Sequence, residues 1–287
     1  MSKAQRTRDQ TTRARIAALQ AEQRRKDQRR RMLAIGAVGV ALLAVIGIII
    51  GALVSRSSPS HPTAGPSGLP AGVQAKLTVP PATLATVGAG SASTQALKAV
   101  TGPALTSGGK PEMLYIGAEW CPYCAAERWA MAVALSRFGS FTPLNGVHSS
   151  PTDVYPNTAT LTFYRSTYTS NYLVFTPVEN QDVNHNLLQA PTAAQQALWA
   201  KYLPPGNSYP FIDIGNRIVV GVTYNPQVLQ GLSWSQIATA MHNPSSPVAQ
   251  GVLGSANLIT AAICKTTGNA PASVCSASPI PALESRI

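Results

Sequence analysis

Between Met32 and Val54 the chain runs for 23 residues without a charge or a strongly polar side chain. At about 1.5 Å of rise per residue, a helix over that run is roughly 34 Å long, enough to cross a bilayer core of about 30 Å. No other segment constrains the architecture as strongly, because the residues before it and those after it then lie on opposite sides of a membrane. Of the 22 Lys and Arg residues, 11 fall within residues 1–31, together with only three acidic residues, while only Arg56 lies close behind the run. The positive-inside bias predicts a cytoplasmic N-terminus and an extracytoplasmic remainder. A cleaved signal peptide is the competing reading. Its apolar stretch is normally about 7–15 residues long, and no convincing small-x-small site stands near Val54.

The formal net charge of +11 invites a nucleic-acid reading until its placement is considered. Residues 55–287 share 11 basic and eight acidic residues, so this part is close to neutral. Residues 2–31 contain no aromatic side chain to interleave with the basic ones. The tail is therefore read as orienting the anchor and touching anionic lipid heads, and no nucleic-acid partner is expected. Disorder of the whole chain is excluded by 45% hydrophobic against 11% charged residues. The expected organisation is a basic tail (1–31), a transmembrane helix (32–54), a Ser/Pro/Gly linker (55–74), a folded domain (75–278) and a loose end (279–287).

The chemistry is concentrated at two cysteines. Residues 112–118, EMLYIGA, form a short apolar run suited to a buried strand, and residues 125–138 are rich in helix formers and stop before Gly139. Between them stands Glu119-Trp120-Cys121-Pro122-Tyr123-Cys124. Strand, C-x-x-C and helix in that order make a redox motif credible. Cys121 is expected at the helix N-cap, where free N–H groups and the helix dipole stabilise a thiolate. Pro122 suits the first turn because its missing N–H has no partner there to lose. Cys124 falls on the same face, within reach of a disulfide with Cys121. Cys121 is the expected attacking thiolate and Cys124 the resolving thiol. An inert structural bond between the two is the other reading of the same spacing.

Cys264 and Cys275 flank a ten-residue, turn-rich loop after an apolar helical stretch. Their spacing is too wide for a second zinc knuckle, and no further soft or imidazole ligand is indicated for copper. No metal or cofactor is therefore expected. Outside the cytoplasm such a pair is expected to oxidise into a structural disulfide contributing about 3 kcal/mol. A relay passing electrons to Cys121 and Cys124 is the alternative. The single histidines His61, His148, His185 and His242 form no catalytic or phosphate-binding motif.

Pro210 follows Cys121 by 89 positions and precedes Phe211–Ile214, Gly215-Asn216 and Arg217–Val222, two apolar runs joined by a turn pair. That pattern predicts a β-hairpin. Further predicted elements are strands at Thr160–Arg165 and Tyr172–Val178 and a helix around Thr192–Tyr202.

Ala118-Glu119-Trp120-Cys121 with Cys124 three positions on resembles the active-site run of thioredoxins, and Cys-Pro-Tyr-Cys resembles that of glutaredoxins. In that superfamily a cis-proline opens the strand facing the redox pair. The resemblance gives this role to Pro210 and implies that the Tyr209 backbone pairs with an extended substrate segment. The runs YIGAEWCPYCAAERWAMAVALSRFGSF, STYTSNYLVF, YPFIDIGNRIVVG and ANLITAAIC, with Cys275, resemble the family called domain of unknown function 929, regarded as thioredoxin-like. Two departures stand out. Where thioredoxins carry a buried acid six positions before the first cysteine, this chain has Tyr115, which is no base near neutral pH. Glu119 and Glu127 lie nearby in sequence but are expected to be exposed charges. The stretch from Gly139 to Ser208 is also longer than a minimal thioredoxin needs, which implies an insertion.

The expected fold class is α/β: a thioredoxin-like three-layer domain with an insertion between the C-x-x-C helix and the cis-Pro strand, preceded by one transmembrane helix. The expected function is membrane-anchored, extracytoplasmic thiol–disulfide exchange on protein thiols and disulfides, with Trp120, Pro122 and Tyr123 flanking the reacting sulfurs. A membrane electron-transfer partner follows if the pair turns over, and a dedicated reductant for cytochrome maturation is a special case. A non-catalytic thioredoxin-fold binding or assembly module with a structural Cys121–Cys124 bond is the reading from a different class.

Overall fold

The computed structural model describes residues 67–203 and 208–287. The basic tail, the apolar run 32–54 and most of the linker lie outside the described residues. Every described residue belongs to one compact unit, Ala64–Ile287.

In chain order, β1 (Ser67–Gly68), α1 (Pro81–Val87), β2 (Leu97–Ala99), β3 (Thr106–Ser107) and β4 (Lys110–Ala118) lead into α2 (Pro122–Leu135). Four short strands follow, β5 (Gly139–Thr142), β6 (Asn145–His148), β7 (Ala159–Thr162) and β8 (Thr167–Ser170), then β9 (Val174–Gln181) and α3 (Ala193–Tyr202). After these come β10 (Phe211–Ile214), β11 (Ile218–Val220), α4 (Trp234–Ala240), α5 (Pro247–Thr266), α6 (Ala272–Cys275) and α7 (Ile280–Glu284).

The main sheet is mixed. β2, β11, β10 and β4 lie side by side and antiparallel, β9 joins the free edge of β4 in parallel, and β3 pairs with the start of β4. Alternation along β4 divides the apolar interior between the two faces. Met113 and Tyr115 enter the main core with α2 and α5, whereas Leu114 and Ile116 join Trp199 of α3 and Phe211 in a second cluster. Helices thus cover both faces of one sheet, an α/β arrangement. Outside it, β1, β6 and β7 make a three-stranded antiparallel sheet, and β5 pairs with β8.

Helix α2 supplies the centre of the core. Trp129 is fully buried and donates its indole N–H to the Ala159 carbonyl at 3.0 Å. Removing a ring in such a place costs about 3–5 kcal/mol. Helix α5 starts where Ser246 accepts the Ala249 N–H and Pro247 fills the first turn. It is long and apolar enough to cross a membrane, and 89% of its most apolar stretch is buried inside this unit. Gly254 lets it pass the turn after α1 closely, because a β-carbon there would sit 2.1 Å from the Ala89 carbonyl oxygen. Asn257 meanwhile donates to the Leu84 and Gly88 carbonyls and so caps α1.

The predicted elements recur with shifted ends. The strand expected at Thr160–Arg165 stops at Thr162, because the chain turns through a left-handed Arg165 and a Ser166 N–H to Phe163 carbonyl bond. Two expectations at the margins are corrected. The end of the segment read as linker is folded in: Ser67 and Gly68 pair with Gly146 and Asn145, and Val73 is buried. Residues 279–287, read as a loose end, carry α7, with Ile280 and Leu283 in the core. Three-residue spacing puts both side chains on one face, a signal hidden by the surrounding prolines.

Candidate active site at the CPYC segment

The residues entering the cysteine segment are held on both sides. A register irregularity between Gly117 and Ala118 shifts the pairing of β4 with β9 so that Ala118 lies opposite Gln181, and the Glu119 N–H donates to the Gln181 carbonyl. Trp120 accepts the Ser150 N–H through its carbonyl and donates its indole N–H to Gln181 at 2.9 Å. Cys121 then has extended backbone, and its Sγ accepts the Cys124 N–H at 3.3 Å. It is the helix N-cap, with Pro122 at the first helical position.

The two sulfurs differ although they share a turn. Both are free thiols, Cys121 being 3% exposed and Cys124 fully buried. The hydrogen bond from the Cys124 thiol holds the Cys121 thiol below its ordinary range, against the opposing effect of burial. The Cys124 and Tyr123 N–H groups and the Arg128 charge add to that lowering. Burial pushes Cys124 well above the ordinary thiol range, and its hydrogen bond to Cys121 adds to the rise. One thiol is thus set to ionise and its neighbour to keep its proton.

Tyr209 and Pro210 come to the same place. Tyr209 packs, with Trp120 and Tyr123, on the cluster of Ala118, Cys121 and Cys124. Its peptide bond to the buried Pro210 is cis, its hydroxyl donates to Asn180, and its ring lies between those of Trp120 and Trp199 at 5.8 and 5.1 Å. Two aromatic neighbours widen this rim, His185 stacked on Trp120 at 4.5 Å and Tyr155 edge-on to Tyr123 at 6.0 Å. Cys264 and Cys275 stand apart. They form a disulfide linking α5 to α6, and neither belongs to the cluster around Cys121.

Beneath the cysteines lies a polar layer that the sequence pattern does not reveal. Arg128, on α2, and Glu179, on β9, form a fully buried ion pair at 2.7 Å. Arg128 Nη2 also donates to the Ala118 carbonyl at 2.7 Å, the same carbonyl that accepts the Cys121 N–H at 3.2 Å. Glu119 and Glu127, expected to be exposed, are both buried. Glu119 accepts the Thr162 hydroxyl at 2.7 Å, and burial raises its carboxyl above the usual range. Glu127 is bonded by the Thr223 N–H, the Thr223 hydroxyl and the Ser255 hydroxyl, and burial lifts it to about 7. One signal does point this way: two adjacent charges inside an otherwise apolar helix have no exposed face to share.

No three of His, Cys, Asp and Glu converge as a metal site among the described residues. His148 packs on Trp234 at 4.3 Å, and His242 bonds the Lys76 carbonyl at 3.0 Å. His61 lies outside the described residues.

Residues 97–208 match the family model described as Domain of unknown function (DUF929). This stretch is similar to that family. The DUF929 match includes β4, the CPYC segment and α2 and ends just before Tyr209. No curated protein and no solved structure matches the chain.

Proposed function

We propose that this protein is a membrane-anchored, extracytoplasmic thiol–disulfide oxidoreductase acting on protein disulfides through Cys121 and Cys124. The observation that carries the reading is the inequality of two neighbouring thiols, one at a helix N-cap with its thiolate stabilised, the other fully buried and holding its proton. A purely structural pair has no use for that difference. A thioredoxin-like arrangement is further supported by the strand–CPYC–helix order and by Tyr209–Pro210, which opens the strand next to β4. The anchor and the side of the membrane rest on the apolar run 32–54 and the basic residues before it.

In the reducing direction, the Cys121 thiolate attacks one sulfur of a substrate disulfide. A Cys121–substrate bond forms, and the other substrate sulfur leaves as a thiolate with the electron pair. Cys124 then gives up its proton and attacks Cys121 Sγ, closing the Cys121–Cys124 bond and expelling the second substrate sulfur, which takes a proton. Two electrons have passed from the cysteine pair to the substrate. Oxidation runs through the same atoms in reverse, and the reduction potential and the electron partner set the direction.

The test is trapping in the native membrane. Cys124→Ser is expected to accumulate mixed disulfides on Cys121, whose attached proteins are then identified. A Cys121→Ser protein exchanging disulfides at the wild-type rate would falsify the mechanism. A reduction potential below about −300 mV with an unreactive Cys121 assigns the pair a structural bond and makes the domain a binding module.

A further inference from the structure

The polar layer under the cysteines contains an oddity that the exchange reaction explains. Glu179 is fully used: its carboxylate accepts Arg128 Nε at 2.9 Å, Arg128 Nη2 at 2.7 Å and the Phe163 N–H at 3.1 Å. Arg128 therefore meets Glu179 sideways, with Nε and Nη2, and Nη2 also holds the Ala118 carbonyl. The remaining nitrogen, Nη1, is buried and has no hydrogen-bond partner among the described residues. The Tyr115 hydroxyl is buried without one as well, with the Arg128 guanidinium 6.0 Å from its ring. A buried guanidinium nitrogen left unbonded is costly, which calls for an anion that appears only at some stage of the cycle.

Helix geometry says where that anion forms. Arg128 follows Cys124 by four residues and Cys121 by seven, so all three share one face of α2, and the Ala118 carbonyl joins the guanidinium to the Cys121 backbone. We propose that Arg128, clamped by Glu179, is a positioning residue of the exchange reaction, its free Nη1 supplying the positive charge against which the buried Cys124 becomes a thiolate. This rests on the exchange reading above.

The step is the second half of exchange. With Cys121 in a mixed disulfide, the Cys124 thiol loses its proton, its sulfur attacks Cys121 Sγ, and the departing substrate sulfur takes the electron pair and a proton. Cys124 would otherwise have to ionise in an apolar pocket with no base at the Tyr115 position. The titratable and charged groups acting on it are Cys121 at the N-cap, Arg128 from α2, Tyr115 from β4 and Tyr209 ahead of β10, with Glu179 of β9 and Glu119 bearing on Arg128 beyond them. Arg128 is the only cation among them.

The full-length, detergent-solubilised protein is mixed with dithiobis(nitrobenzoate), and the coloured thiol is followed in time. The first equivalent reports attack by Cys121 and the second reports resolution by Cys124. In the double variant Arg128→Gln/Glu179→Gln, resolution at neutral pH is expected to slow at least about tenfold, with its pH midpoint moved up by about one unit. Glu179→Gln alone leaves the Arg128 charge uncompensated and is expected to move the midpoint the opposite way. A purely structural pair predicts no such opposition. Wild-type midpoints in both variants, or equal slowing with unmoved midpoints, overturn the role of Arg128 while leaving exchange intact. A wild-type protein releasing only one equivalent overturns the exchange reading itself. If the double variant does not fold, Glu179→Gln decides alone: an acid shift supports the proposal and an unmoved midpoint sinks it.

Discussion

Thr223 donates both its backbone N–H and its hydroxyl to one oxygen of Glu127, at 2.7 and 2.9 Å, in the buried seam between α2 and α5. Burial outweighs those bonds and lifts the carboxyl from 4.5 to about 7. Between these values the folded protein holds a proton that the unfolded chain has lost. Stability therefore falls as pH rises through that window, by up to about 3 kcal/mol, and stays lower above it. Thermal unfolding from pH 5 to pH 8 is expected to show a larger drop in Tm for the wild type than for Glu127→Gln. Parallel profiles would remove Glu127 as the source.

The lowered affinity of Cys121 for its proton depends first on the thiol of Cys124. In Cys124→Ala that hydrogen bond is gone, and the alkylation midpoint of Cys121 is expected to move upward. At neutral pH this slows iodoacetamide labelling about three- to tenfold, read by mass spectrometry of the CPYC peptide. Faster labelling would mean that access, not ionisation, governs the site.

A β-carbon at Gly117 would lie 1.9 Å from the Tyr115 hydroxyl oxygen and 2.3 Å from the ring carbon bearing it. Gly117→Ala is expected to cost about 1–3 kcal/mol in denaturant unfolding, because the tyrosine ring is fully buried and has nowhere to go. Tyr115→Leu in the same chain removes the clashing atoms, so the double variant is expected to lose less than the sum of the two single changes. Strict additivity would contradict the contact.

Cys264 and Cys275 close a loop of ten intervening residues. Replacing both with Ala is expected to cost about 3 kcal/mol while leaving the rate of Cys121-dependent exchange at the wild-type value. A matching loss of exchange in the folded variant would make this bond an electron relay instead.

The legibility of each feature in the sequence depends on how local its signal is. The strand–CPYC–helix unit is local: an apolar run, an N-cap cysteine, a proline at the first turn and a run of alanines each act on their neighbours. Their consequences are therefore visible in the sequence, as is the turn at Gly215-Asn216. The Arg128–Glu179 pair is not, because its members are 51 residues apart and meet only once β9 lies beside β4. Glu119 and Glu127 escape for the same reason. Their partners, Thr162, Thr223 and Ser255, come from distant elements, and without those partners a carboxylate is rightly assigned to the surface. Ile280 and Leu283 show the limit of composition, since a proline-rich stretch hides two core residues.

The pairing of Ser67 and Gly68 with β6 has a mechanical side. β6 returns through residues 149–158 into β7, and in that return Ser150 holds the carbonyl of Trp120 beside Cys121. The first described strand and the rim of the cysteine pair are thus linked through β6 and the loop that follows it. If the chain is anchored as proposed above, a pull on the segment before Ser67 acts on β6 and, through the loop after it, on the carbonyl of Trp120, so the tether bears on the compliance of the site.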